Sequence, residues 1–173
     1  MNTVKKYVFD LDNTLVFTDC ANNYSYNYAL MRKGLFPITD CTRITREILK
    51  IKYPNINEVC KQEIIELKRR CFGANLEMST LNTAIYNILD SNKANDCILW
   101  TSAEECRVKS ILEYYNLSRK FKTIYYSNKL NVSYDIENIC QIHQCSPNQL
   151  VVFEDNFDVI KRLQQLMVNV ICA

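Results

Sequence analysis

Apolar runs of strand length alternate with amphipathic stretches of helix length through the second half of the chain. Cys97–Thr101, Thr123–Tyr126, Leu150–Phe153 and Val168–Cys172 are the runs, and residues 103–115, 135–143 and 156–167 between them carry helical spacing. Another run, Tyr7-Val8-Phe9, stands near the start. Strands separated by helices can close only as a parallel sheet with helices on both faces, because parallel neighbours need a crossover connection. At 173 residues and 48% hydrophobic, the chain can bury one good core and a small second lobe. The expected fold is α/β, a Rossmann-like parallel sheet core interrupted after its first strand.

The interruption reads as all-helical. A first helix is expected over 21–32, with Tyr24, Tyr28 and Met31 on one face and Gly34 then Pro37 closing it. A second would start at Thr39 or Asp40 and run through Ile44, Ile48 and Ile51 to Tyr53-Pro54. A third would begin near Asn57 and end at Gly73, and a fourth, capped by Ser79, would hold Leu81, Ile85, Ile88 and Leu89. Together they suggest a small bundle or lid. The expected division is a core of residues 1–19 and 80–173 with a helical cap over 20–79. Residues 20–80 hold ten Lys or Arg against six Asp or Glu, while the whole chain is only +2, so the rest is slightly acidic. A basic lid over an acidic base would favour an anionic substrate, although Lys68-Arg69-Arg70 could equally be a solvated helix face.

That small net charge gives no reason to expect nucleic acid as a partner. No apolar run approaches the roughly 20 residues that span a bilayer, and no basic-then-apolar leader pattern opens the chain, so a cytoplasmic protein without a membrane partner is expected. Nine cysteines, an odd number with no Cys-x-x-Cys, fit a reducing compartment. Cys140, His143 and Cys145 offer three zinc ligands where a structural site wants four, and a helix end with a surface histidine accounts for them as well.

In parallel α/β sheets, ligands bind beyond the carboxyl ends of the strands. The first strand ends in Asp10 and Asp12, with Asn13 next where a left-handed backbone is wanted; the strand after the insertion ends in Thr101-Ser102. The strand before the last helix ends in Glu154-Asp155, with Asp158 one turn on, and the segment after Tyr126 offers Lys129. Adjacent carboxylates disfavour each other's ionisation unless a cation intervenes, and hard oxygen donors point to Mg²⁺. Carboxylates, a metal, an ammonium and a hydroxyl together make a phosphoryl-transfer site: one carboxylate attacks phosphorus, a second moves the proton, and cations bind the remaining oxygens.

With these residues in place, the chain resembles the haloacid dehalogenase superfamily, in its phosphatase-like branch with a helical cap after the first strand. Asp10-Leu11-Asp12-Asn13-Thr14-Leu15 is similar to that family's Asp-x-Asp-x-Thr signature, Ile98-Leu99-Trp100-Thr101-Ser102 to its strand ending in Thr or Ser, and Val152-Phe153-Glu154-Asp155-Asn156-Phe157-Asp158 to its acidic motif. The resemblance implies Asp10 as nucleophile and Asp12 as general acid and base. It implies Mg²⁺ held by Asp10, the carbonyl of Asp12 and Asp155, with Glu154 or Asp158 as support or alternative ligand. Thr101 and Ser102 would meet the phosphoryl group, Lys129 would neutralise it and Asp10, and Thr14 would steady the loop. The family usually follows its lysine with proline, whereas Leu130 follows here, so Lys109 and Lys122 remain alternatives. The implied activity is Mg²⁺-dependent hydrolysis of a small phosphorylated metabolite, a sugar phosphate or nucleotide, through an aspartyl phosphate. A phosphomutase, or a catalytically silent binding or regulatory protein on the same fold, are the alternatives.

Overall fold

The computed structural model describes residues 5–173. The chain divides into two compact units, one ending at Phe17 and resuming over Leu81–Ala173, the other spanning Thr18–Thr80.

In the first unit, β1 (Lys6–Phe9), β4 (Cys97–Thr101), β5 (Thr123–Tyr126), β6 (Leu150–Glu154) and β7 (Asn169–Cys172) form one sheet in the order β5-β4-β1-β6-β7. Every neighbour pairs in parallel, with Phe9 opposite both Leu99 and Phe153. Strand β1 is central and the order reverses across it, so its carboxyl end is the switch point where such sheets open a crevice. Two-residue strands β2 (Val16–Phe17) and β3 (Thr80–Leu81) pair separately.

Successive strand residues point to opposite faces. Val8, Ile98, Trp100 and Val152 bury on one side with residues of α6 (Val132–His143) and α7 (Phe157–Gln165). On the other side Phe9 stacks on Phe153 at 4.8 Å between ring centroids and meets Phe121 edge-on at 6.1 Å. Helices α4 (Thr83–Ser91) and α5 (Glu105–Tyr114) complete this unit. Thus the fourth expected helix belongs with the sheet, and its cap is Asn82, which accepts from the Ile85 N–H, rather than Ser79. Ser79 instead follows a short 3-10 turn and donates its hydroxyl to the Leu76 carbonyl.

The second unit holds α1 (Asp19–Arg32), α2 (Arg46–Lys52) and α3 (Glu58–Ala74). Its core is Tyr26, Ala29, Leu30, Ile38, Ile44, Leu49 and Ile64. The expected apolar face of α1 is the exposed one: Tyr24, Tyr28 and Met31 reach solvent, while Ala21, Asn22, Ser25 and Ala29 are buried. Small residues let another helix approach closely, and α1 packs chiefly on α3. The second helix starts at Arg46 under a Thr45 cap, six residues beyond Thr39 and five beyond Asp40. Side chains of α1 hold the intervening backbone out of helix. Asn27 both accepts from the Ile38 N–H (2.8 Å) and donates to its carbonyl (3.0 Å). Asn23 does the same for Ile44 and Thr42, and Asn22 donates to the Ile44 carbonyl. Lys68 lies over the rings of Tyr26 and Phe72, and Arg69 and Arg70 pair with Glu66, so that basic run belongs to the unit's own surface. Among the described residues, no helix is long and apolar enough to cross a membrane.

Candidate active site

The loop after β1 turns at once. The N–H groups of Leu15 and Val16 both donate to the Leu11 carbonyl, Asn13 donates to the Val16 carbonyl, and Asn13 takes φ 63°, a left-handed value that asparagine tolerates better than most residues. This turn leaves Asp10 at the strand end, 6% exposed, with its own N–H bonded to the Phe153 carbonyl on β6. Thr14 is fully buried; its hydroxyl donates to Asp155 (3.4 Å) and its carbonyl accepts from Asn82. It ties the loop to the acidic end of β6.

Of the three lysines considered, Lys129 is the one whose ammonium reaches the strand-end carboxylates. Its ammonium lies 2.6 Å from Asp10 Oδ1 and 2.7 Å from Glu154 Oε2, and the residue is 8% exposed. Lys122 is exposed, and Lys109 pairs with Glu113 along the surface of α5. Burial pushes the Asp10 carboxyl up to about 7; Lys129 opposes that rise, while Glu154 and Asp12 add to it. For Lys129, burial favours the neutral amine, but the carboxylates of Asp10 and Glu154 outweigh it and hold its pKa above the ordinary lysine value. Asp155 is also held above the usual carboxylate range, by desolvation and then by Glu154.

Ligand oxygens of Asp10, Glu154 and Asp155 lie within 4.8 Å of one another, the one group of three or more metal-ligating side chains so placed among the described residues. Glu154 is 1% exposed and both its oxygens are engaged, Oε2 by Lys129 and Oε1 by the Asn156 N–H at 3.0 Å. Asp158 stands outside the group. It is exposed in the first turn of α7, where Asn156 caps its N–H and its charge opposes the positive helix end. The Asp12 carboxylate also stands outside, drawn instead to Arg107, whose Nη2 is 2.5 Å from Oδ1. Cys140, His143 and Cys145 do not converge as a metal group, and burial pushes the Cys140 thiol up to about 12.

Thr101 ends β4, the strand beside β1, and is 1% exposed; its hydroxyl accepts from the Ala103 N–H, which shapes the turn into α5. Ser102 is exposed. Arg107 escaped the sequence reading, having no strand end or motif to mark it. One local signal was available: it occupies the third position of α5, where the positive helix end disfavours a cation unless an anion is near.

No family model matches the chain, and no curated protein matches it. Solved structures do. A predicted phosphoglycolate phosphatase from Haemophilus somnus 129PT superposes with a TM-score of 0.83 at 20% identity, covering 99% of this chain and 86% of that one. A haloacid dehalogenase superfamily hydrolase of subfamily IA, variant 1, from Geobacter sulfurreducens PCA gives 0.75 at 12% identity, covering 98% and 87%. CbbY from Rhodobacter sphaeroides, solved in complex with phosphate, gives 0.72 at 15% identity, covering 98% and 86%.

Proposed function

The chain has the haloacid dehalogenase fold, and from that premise we propose that it is a Mg²⁺-dependent phosphomonoester hydrolase working through an aspartyl phosphate on Asp10. The observation that carries this reading is the buried Lys129 ammonium between Asp10 and Glu154, beside Asp155, at the carboxyl ends of β1 and β6.

The donor set fits a hard divalent cation. All the converging donors are carboxylate oxygens, the hard donors such a cation takes, and burial, with Glu154 and Asp12 adding to it, keeps the Asp10 carboxyl up at about 7 despite Lys129. Asp10, Asp155 and the backbone carbonyl of Asp12 would hold Mg²⁺, whose charge would offset the repulsion between these carboxylates and an incoming phosphate. Glu154, with both oxygens engaged, serves Lys129 rather than the metal.

In the reaction, an Asp10 oxygen attacks phosphorus and the bond from phosphorus to the leaving oxygen breaks. Asp12 supplies the proton that oxygen needs, and then accepts one from the water that attacks the aspartyl phosphate and releases phosphate. Arg107 fixes the orientation of the Asp12 carboxylate through Oδ1. Lys129 neutralises Asp10 and the transferring group, and the Thr101 hydroxyl donates to a phosphoryl oxygen. The substrate is taken to be a small phosphorylated metabolite of the sugar phosphate or nucleotide class.

Hydrolysis of an aryl phosphate by the wild type and by Asp10→Asn, with and without Mg²⁺, is the test. Metal-dependent turnover that falls at least about a thousandfold in the variant is expected. Absence of turnover together with absence of Mg²⁺-dependent beryllium fluoride binding overturns the reading. Transfer of the phosphoryl group to a sugar hydroxyl instead of water would make the enzyme a phosphomutase.

A further inference from the structure

Asp135 sits where a helix of this kind should carry an apolar residue. Val132, Asp135, Ile136, Ile139 and Cys140 follow the three- and four-residue spacing of one face of α6, and all five are buried. Asp135 is 4% exposed. A buried carboxylate is costly unless donors satisfy it, so its partners show what it is for.

Those partners lead back to the site. The Ser127 hydroxyl donates to Asp135 Oδ2 at 2.6 Å, and the Tyr125 hydroxyl approaches Oδ1 at 3.4 Å. An ionised carboxylate only accepts, so Ser127 must spend its single proton on it. That leaves two lone pairs, and both are used: the Trp100 indole N–H donates to Ser127 Oγ at 2.9 Å, and the Lys129 backbone N–H at 3.2 Å. The charge of Asp135 therefore sets the polarity of the whole junction.

Both of the Ser127 donors converge on Lys129. Its backbone adopts φ 56°, a left-handed conformation unfavourable for a residue with a Cβ. Its ammonium lies 4.7 Å from the centre of the Trp100 ring, on the way to Asp10 and Glu154. One hydroxyl thus holds both the backbone from which the lysine starts and the ring along which it reaches.

We propose that Asp135 and Ser127 are a positioning pair that locks the Lys129 ammonium onto Asp10. Neither touches the reacting atoms; both act through Lys129. The catalytic consequence rests on the phosphohydrolase reading, whereas the positioning itself does not.

The test follows the lysine directly. In ¹⁵N-lysine-labelled full-length protein, one slowly exchanging ammonium resonance is expected, assigned to Lys129 by its loss in Lys129→Arg. Ser127→Ala and Asp135→Asn should both speed its proton exchange and move its shift off the Trp100 ring-current position, and lower kcat by about tenfold or more, the usual scale for removing an outer partner of a site residue. Ser127→Thr, which keeps the hydroxyl, should restore the resonance. A resonance unchanged in both variants overturns the proposal, even if their melting temperatures fall. If Asp135→Asn does not fold, Ser127→Ala decides, since it removes one oxygen. A wild type that shows the locked ammonium but neither turns over a phosphate ester nor binds beryllium fluoride with Mg²⁺ overturns the functional reading and leaves the positioning intact.

Discussion

Lys129 shows how a local departure from a familiar pattern can be structurally required. Proline after it would push it out of the left-handed region into extended backbone and would remove the Leu130 N–H that donates to Asn128 Oδ1 at 3.0 Å. Leu130 itself is 75% exposed and contributes little through its side chain. Leu130→Pro is therefore expected to cost about 1–3 kcal/mol and most of the turnover, whereas Leu130→Ala should stay within about 0.5 kcal/mol of wild type in urea titration. Equal stability for the two variants would contradict this account of the backbone. The convergence of Asp10, Asp155 and Lys129 was legible because each follows an apolar run closely, and strand ends in a parallel sheet share one edge. Arg107 and Ser127 were not, because what they do depends on partners up to 95 residues away. Asp135 lay between: an acidic residue on the apolar stripe of a helix is visible in sequence, but not what satisfies it.

Among the elements, strands were read more accurately than helix starts. The strands of the sheet match their apolar runs to within a residue; β4 and β6 are buried throughout, which leaves little freedom in what a central strand can be made of, and the less buried edge strands β5 and β7 still carry β-branched and aromatic runs. The start of α2 was misread because the asparagines of α1 satisfy the backbone of 38–44 from outside, a tertiary effect invisible to periodicity. The end of α6 carries a comparable reversal. A histidine in the last turn should gain from the negative helix end and keep its proton more tightly. Burial, then Lys6 and Lys122, instead lower the pKa of His143, and its Nε2 is buried without a hydrogen-bond partner among the described residues. The folded state therefore binds this proton more weakly than the unfolded chain. Stability from this source is whole above about pH 6.5 and is lost as pH falls through the lowered folded value. His143→Gln should flatten the fall in melting temperature between pH 7.5 and 5. An identical slope in wild type and variant would remove His143 from the acid response.

At the scale of the whole molecule, the chain leaves the sheet-bearing unit after Phe17 and re-enters it at Leu81, and that unit is knit together across the gap. The Asn82 N–H donates to the Leu15 carbonyl at 2.9 Å and its side-chain amide to the Thr14 carbonyl at 3.0 Å. One buried cluster on the sheet runs from Val8 to Val168, and the helical unit has a cluster of its own from Tyr26 to Ile64. Each unit thus has buried apolar packing of its own. Replacing Thr18–Thr80 with a flexible Gly/Ser link of about six residues, long enough to join neighbouring strands, should leave a core that melts cooperatively. Because Asp10, Lys129, Glu154, Asp155 and the Ser127–Asp135 junction all lie in that core, it should keep the locked Lys129 ammonium and Mg²⁺-dependent beryllium fluoride binding. Altered preference among phosphate esters would assign substrate choice to the removed helices. A broad, non-cooperative melt would instead show that the sheet depends on the helical unit for its packing, and that two clusters with no residue in common are one cooperative structure.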